Sequence, residues 1–425
     1  MRCLLCWMTG ISHCCEPAAL VLLLVGALVS IVGFVSAGAD SEGETPSPSV
    51  TSGYLDVDGG RLYYEEVGSG ECIVLVHDGL LHHATWDGQF DEFARTHRVV
   101  RYDRRGYGKS DFPTSSYSNV ADLLKVFDQL GIEQAWLIGM SAGGGLSIDF
   151  TLAHPERVIG LVLAGAVVRG FDYTPHFYTR GGRLTREVLN DPVALRAFFS
   201  ETDPYTVVPA HTVARERVKS ILAAYPQNAD LSKHNLEAPL PSAVERLGEI
   251  QKPTLIMVGE HDIPDVHAHA GAIDAGIPGA RRVVISDAGH LVPLEQPEAF
   301  NAEVRAFLRE GPLFHALACE GVGAAVARFE DRQRVHPGEP CFDEPRMNGE
   351  GYRLLLSGRA DEAIELFKLV VRAYPDSWNA YDSLAEGYMT RGDRALAIAN
   401  YEKSLELNPD NEGARRRLEE LRRDQ

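Results

Sequence analysis

Short apolar runs recur through the middle of the chain, and between them apolar positions fall at helical spacing. Cys72–Val76, Val99–Tyr102, Ala135–Ile138, Val158–Leu163, Pro253–Val258 and Arg282–Ile285 read as strands. Ala84–Phe93, Val120–Leu130, Leu146–Leu152 and Gln296–Leu308 read as helices. Ahead of them, Tyr54–Val57 and Leu62–Val67 flank Asp58-Gly59-Gly60, the pattern of a hairpin. Runs apolar on both faces belong to strands covered from both sides. Their alternation with helices predicts an α/β fold: a mostly parallel sheet with helices on each face. Ligands in such sheets bind beyond the carboxyl ends of the strands.

The alternation breaks between residues 166 and 250. Helix-like pieces (Leu184–Asn190, Val193–Ser200, Val213–Tyr225), prolines and the aromatics Phe171, Tyr173, Phe177, Tyr178, Phe198, Phe199 and Tyr205 lie there. This predicts an inserted helical lid whose apolar side chains form a substrate pocket. Equally, each aromatic could simply hold the insertion onto the sheet. After Pro312 the pattern is helical throughout. Gly358 and Gly392, Ala363 and Ala397, Phe367 and Tyr401, and Pro375 and Pro409 each stand 34 residues apart, and Ala325, Phe329 and Pro337 form an earlier partial unit. The period resembles tetratricopeptide repeats. The resemblance implies a small all-α tail over residues 312–425, either a groove for a protein partner or a structural extension and homodimer contact.

Residues 1–39 contain an uncharged apolar segment, Ala18–Ala39, ending in Ala37-Gly38-Ala39. A small-x-small ending fits a cleaved signal peptide, and the length also fits a membrane anchor. Both place the folded part outside the cytoplasm, secreted or periplasmic. Residues 40–52 read as a linker, which leaves 53–311 for the α/β domain. The formal net charge of −19 argues against nucleic-acid binding. Of seven cysteines, four (Cys3, Cys6, Cys14 and Cys15) precede the apolar segment, Cys72 sits in a strand, and Cys319 and Cys341 could pair after export.

The chemistry gathers at strand ends. Gly139-Met140-Ser141-Ala142-Gly143 joins an apolar strand to a helix. A serine at such a turn projects its hydroxyl above the sheet, and glycines two residues to either side avoid a clash. The helix start aims backbone N–H groups at the same space, where they can stabilise an oxyanion. His77-Asp78-Gly79, Asp103-Arg104-Arg105-Gly106-Tyr107-Gly108-Lys109-Ser110, Gly259-Glu260-His261-Asp262 and Ala288-Gly289-His290 follow other strands. These five motifs, in their order along the chain, resemble the α/β-hydrolase superfamily over about residues 53–311.

The resemblance implies that Ser141 is the nucleophile, His290 the general base and Asp262 the acid that orients it. A serine needs a base to take its proton, and a carboxylate fixes the tautomer of that base. Glu260 is the competing acid; Asp287 reads as a loop residue. The backbone N–H groups of Ala142 and Gly79 are expected to form the oxyanion hole, with Leu80 as the alternative second donor. The alternative arises because many members of the family carry His-Gly where this chain has His77-Asp78-Gly79. Ser141 argues against epoxide hydrolases and haloalkane dehalogenases, which use an aspartate. No cofactor and no metal ion are expected; His261, His267 and His269 lack a matched set of carboxylates.

The expected activity is that of a serine hydrolase cleaving a small carboxylic ester through an acyl-enzyme. An aminopeptidase or a C–C bond hydrolase would use the same three residues. For the peptidase, Glu187, Asp191, Glu201 and Asp203 could make an acidic lid that captures a substrate amine. A binding protein on an inactive hydrolase scaffold is the remaining alternative.

Overall fold

The computed structural model describes residues 49–203 and 205–423. The signal or anchor reading of residues 1–39 lies outside them, as does most of the linker.

Eight strands form one sheet: β1 (Thr51–Val57), β2 (Gly60–Val67), β3 (Cys72–Val76), β4 (Arg98–Tyr102), β5 (Ala135–Met140), β6 (Val158–Ala164), β7 (Thr254–Gly259) and β8 (Arg281–Ile285). Their spatial order is β1-β2-β4-β3-β5-β6-β7-β8. The hairpin is antiparallel, with Val57 opposite Gly60, and β2 is antiparallel to β4. Every other pairing is parallel. All residues of β3, β5 and β7 are buried, as expected of a sheet covered on both faces. Val74, Val76 and Leu137 join one core, and Ile73, Leu75 and Ile138 the other, so alternate residues feed opposite faces.

The helices are α1 (Asp87–Phe93), α2 (Asn119–Gln129), α3 (Ala142–Ala153), α4 (Pro175–Thr179), α5 (Arg186–Asn190), α6 (Pro192–Ala197), α7 (Thr212–Ala224), α8 (Pro264–Gly276), α9 (Val292–Glu295), α10 (Pro297–Cys319), α11 (Val322–Val335), α12 (Glu344–Leu356), α13 (Ala360–Ala373), α14 (Trp378–Arg391), α15 (Arg394–Leu407) and α16 (Glu412–Arg423). Helices α4 to α7, with a π-helical turn at Phe198–Thr202 and short 3₁₀ segments up to Glu249, occupy the inserted stretch between β6 and β7. Part of the insertion packs on itself, through Leu184, Leu195, Phe198 and Ala229.

One helix differs from expectation. The closing helix does not stop at Leu308; α10 runs through Pro312 to Cys319, so residue 311 falls inside it. Its first half packs Phe300, Val304 and Phe307 against the sheet, while Leu313 and Leu317 enter the core of the C-terminal helices. That helical core contains Ala363, Phe367, Ala397 and Tyr401, residues of the 34-residue period. Cys319 and Cys341 are free thiols, one exposed and one buried, rather than a pair. Among the described residues no helix is long and apolar enough to cross a membrane.

Candidate active site

β5 ends at Met140 and α3 begins at Ala142, leaving Ser141 alone at the turn with φ 52° and ψ −117°. A non-glycine residue in such a conformation costs on the order of 1–3 kcal/mol. Backbone bonds hold it there, from Ser141 N–H to the Ala164 carbonyl (2.8 Å) and from Gly145 N–H to the Ser141 carbonyl (3.0 Å). The flanking glycines are sterically required. A Cβ on Gly143 would lie 2.3 Å from the Val76 carbonyl oxygen, and one on Gly139 would lie 2.6 Å from that of Gly143.

His290 reaches this turn from the loop after β8. Its Nε2 is 2.9 Å from Ser141 Oγ, and its Nδ1 is 2.7 Å from Asp262 Oδ2. The other oxygen of Asp262 accepts the Ile263 N–H at 2.7 Å, which leaves Oδ2 for the imidazole. Burial disfavours the imidazolium, but the charge and hydrogen bond of Asp262 outweigh it, and the pKa of His290 is raised. Glu260 is directed elsewhere: its Oε2 accepts the Asp287 N–H at 3.1 Å. Asp287 is exposed, with its carboxylate 3.5 Å from His211.

Next to Ser141, Ala142 is the first residue of α3, so its N–H has no partner within the helix. Asp78 separates the two candidates for a second donor. Its Oδ1 accepts the N–H groups of both Leu80 (2.7 Å) and Leu81 (2.8 Å). Leu80 is therefore engaged, whereas the Gly79 N–H has no acceptor among the described residues. Gly79, Ala142 and Ser141 line one cavity with His290. The aspartate that interrupts the His-Gly pattern thus shapes the turn carrying the candidate donor.

Of the residues that position this site, Glu295 lay outside the sequence motifs, whereas His77 and Asp103 lay within them. Glu295 is buried, and its two oxygens accept the N–H groups of Gly289 (2.9 Å), Leu291 (3.1 Å) and Val208 (2.8 Å). It grips the backbone on both sides of His290. No spacing rule marks a glutamate five residues past the histidine. His77, fully buried, accepts the Arg104 N–H at Nε2 (2.9 Å) and so ties the Asp78 turn to the loop after β4. Burial holds its pKa well below the ordinary value, keeping it neutral. In that loop Asp103 accepts from the backbone and ring of His83 (2.8 and 2.7 Å) and from the Lys109 N–H (2.8 Å).

Among the described residues, one cluster has metal-ligating atoms close together: His82, His83 and Asp103. Those atoms bond to one another and to nearby backbone, as His82 Nδ1 accepts the Ala84 N–H. His269 accepts the Val168 N–H and packs against the rings of Phe171 and Tyr173, which gives it a structural place. His261 and His267 do not join it in a ligating group.

The cavity at Ser141 measures about 270 Å³. Its walls are mostly apolar, with Leu80, Leu195, Val266 and the lid aromatics Tyr173, Phe177 and Phe199. Phe198 instead fills the lid's own core, and Tyr178 is exposed. A second cavity of about 280 Å³ lies beyond Ala142, Val167 and Tyr173 and is polar, with Arg104, Asp149, Arg169 and Glu237.

Comparison with known proteins agrees with this architecture. The sequence profile of the alpha/beta hydrolase family matches residues 73–303. A 2-hydroxy-6-oxononadienedioate/2-hydroxy-6-oxononatrienedioate hydrolase of Klebsiella pneumoniae is 32% identical over 283 residues, covering 61% of this chain and 96% of that protein. Carboxylesterase YbfK of Bacillus subtilis is 27% identical, over 56% of this chain and 80% of its own. Among solved structures, a thermophilic esterase from Thermogutta terrifontis is similar at 27% identity with a TM-score of 0.53, covering 61% of this chain and 98% of that one. With its mostly parallel sheet, inserted helices and matching profile, the chain is a hydrolase and belongs to the alpha/beta hydrolase family.

Proposed function

We propose that the protein is a serine hydrolase that cleaves a small carboxylic ester through an acyl-enzyme. The observation that carries this is the unbroken chain from Asp262 through His290 to Ser141, at 2.7 and 2.9 Å, opening on a cavity. His290 takes the proton of Ser141 as the oxygen attacks the ester carbonyl. The N–H groups of Ala142 and Gly79 receive the developing oxyanion. Collapse expels the alcohol, which takes the proton from His290. A water activated by the same imidazole then releases the acid. Asp262 holds the ring with Nε2 towards Ser141 and stabilises the imidazolium.

A fluorophosphonate probe tests this directly. The wild-type chain is expected to be labelled at Ser141 and to turn over p-nitrophenyl esters, and Ser141→Ala to lose both. Labelling elsewhere, or wild-type turnover by Ser141→Ala, overturns the assignment. A second reading, hydrolysis of a C–C bond with the same residues, is favoured by the name of the Klebsiella relative. A 2-hydroxy-6-oxodienoate turned over in preference to every ester would select it.

Two further parts of the chain fit this picture. The C-terminal helical hairpins α12–α13 and α14–α15 follow the 34-residue period, and we read them as tetratricopeptide-like units that contact a protein or a second copy. Export, by signal peptide or anchor, is proposed from the apolar segment before residue 40.

A further inference from the structure

The sequence left the sign of the lid's charge open, with four acids that could have drawn in an amine. None of them lines the cavity at Ser141. Glu187 and Glu201 are exposed on the surface. Asp191 caps α6, accepting the Val193 N–H at 2.8 Å. Asp203 is fully buried, and its carboxylate is taken by the Tyr205 N–H (3.0 Å), Thr206 Oγ1 (3.1 Å) and Arg180 Nε (3.2 Å).

The charge that the lid does present is Arg180. Its side chain is only 13% exposed and lines the same cavity as Ser141 and His290. Asp203 holds it through Nε alone, while Nη1 is buried without a hydrogen-bond partner. A charged donor left unpartnered in a buried place is costly unless something fills it. Its backbone is in the left-handed region, φ 47°, at the C-terminus of α4, and its guanidinium packs on Phe177 at 4.9 Å. The side chain is thus fixed at the base by its turn and at its head by Asp203. Its charge also reaches the site, where it opposes protonation of His290. The other charge on the wall, Asp78, has one oxygen on two backbone N–H groups and the other 3.3 Å from Thr85 Oγ1.

From this geometry we infer that Arg180 is a specificity residue that receives a carboxylate of the substrate, so the favoured substrate carries a free acid group beside the bond that is cleaved. A planar guanidinium on the cavity wall, held by Asp203 through Nε alone, matches a carboxylate in both charge and shape. The apolar walls between Arg180 and Ser141 suit the short hydrocarbon chain that would separate the acid from the scissile carbonyl. The inference rests on the hydrolase reading of Ser141 for the reaction, but the binding step does not need turnover.

The test therefore has two arms. In the first, kcat/KM is measured for p-nitrophenyl hemiesters of succinic, glutaric and adipic acids and for neutral esters of equal chain length. At least one hemiester is expected to be preferred, and Arg180→Gln to reduce that hemiester-to-neutral ratio by roughly 10- to 100-fold, with Arg180→Lys falling between. In the second, calorimetry follows the matching free dicarboxylate binding to Ser141→Ala; adding Arg180→Gln is expected to weaken it by a similar factor. No preference for any hemiester, or a ratio and dicarboxylate affinity unmoved by Arg180→Gln, overturns the inference. Failure to hydrolyse any ester would instead overturn the esterase reading, and the calorimetric arm would still decide the role of Arg180.

Discussion

Glu295 holds His290 by the backbone, its carboxylate accepting the N–H groups of Gly289 and Leu291 on either side of the imidazole. The same carboxylate accepts the Val208 N–H, so the lid and the histidine loop share one anchor. A glutamine has a single carbonyl oxygen and cannot serve three donors. Glu295→Gln is therefore expected to lower kcat by roughly tenfold, because the base is displaced. Losing charge-assisted bonds at a buried site costs on the order of 1–3 kcal/mol, so a fall of several degrees in Tm should accompany it. Unchanged kcat would mean that the loop holds His290 without this clamp.

The pairing of His290 with Asp262 makes a prediction about pH. Catalysis needs the neutral imidazole. Burial lowers the pKa of His290, and the adjacent carboxylate raises it by more, so the net direction is upward. The acid limb of kcat/KM is expected above the ordinary histidine value near 6.5. Asp262→Asn removes the raising influence and leaves the burial, so the limb should move to lower pH while the rate falls by about 10³–10⁴. Glu260→Gln should stay within a few-fold of wild type, since Glu260 faces Asp287 N–H. A larger loss for Glu260→Gln than for Asp262→Asn would reverse the assignment of the acid.

The serine turn tolerates no side chain at Gly143. A Cβ there would meet the carbonyl oxygens of Val76 and His77 at 2.3 and 2.4 Å, both backbone atoms at the end of β3. No rotamer relieves a clash of Cβ with backbone, so strand and helix must separate. Gly143→Ala is expected to destabilise the fold by roughly 1–3 kcal/mol or more and to abolish turnover. Thermal unfolding and fluorophosphonate labelling check this; normal Tm with normal labelling would contradict the tight packing of the turn.

The sequence was most legible where one force dominates. Strands β3, β5 and β7 are buried on both sides, so their apolar runs stand out without periodicity. Ser141, Asp262 and His290 lie at strand ends, where short polar motifs interrupt those runs. The length of α10 was hidden because Pro312 normally argues for a break. Here the helix continues because its apolar face passes from one core to the next, from Phe307 to Leu313 and Leu317. The lid's charge was hidden for a different reason. Composition shows acids and several arginines nearby, but only packing reveals that Asp203 is consumed by its neighbours and Arg180 faces the cavity. Glu295 was invisible because its partners are backbone N–H groups, which every sequence supplies.

Lys233 offers the last prediction. It is fully buried at the end of the lid, its Nζ 2.7 Å from the Asn228 carbonyl and 3.8 Å from the centre of the Tyr107 ring. Tyr107 in turn donates its hydroxyl to the Gly79 carbonyl at 2.8 Å, so this lysine supports the turn that carries the candidate oxyanion donor. Burial first, and then the nearby Arg104 charge, pull its pKa down to about 7 from an ordinary value of 10.5. Between those values the unfolded chain binds a proton that the folded chain does not. Stability therefore rises with pH across that window through this group, and its contribution is level below it. The slope it adds is at most about 1.4 kcal/mol per pH unit. Lys233→Met removes the titration, so its denaturant-unfolding stability should climb less steeply than wild type from pH 7 to pH 10. Parallel curves for the two proteins would mean that Lys233 keeps its proton in the fold.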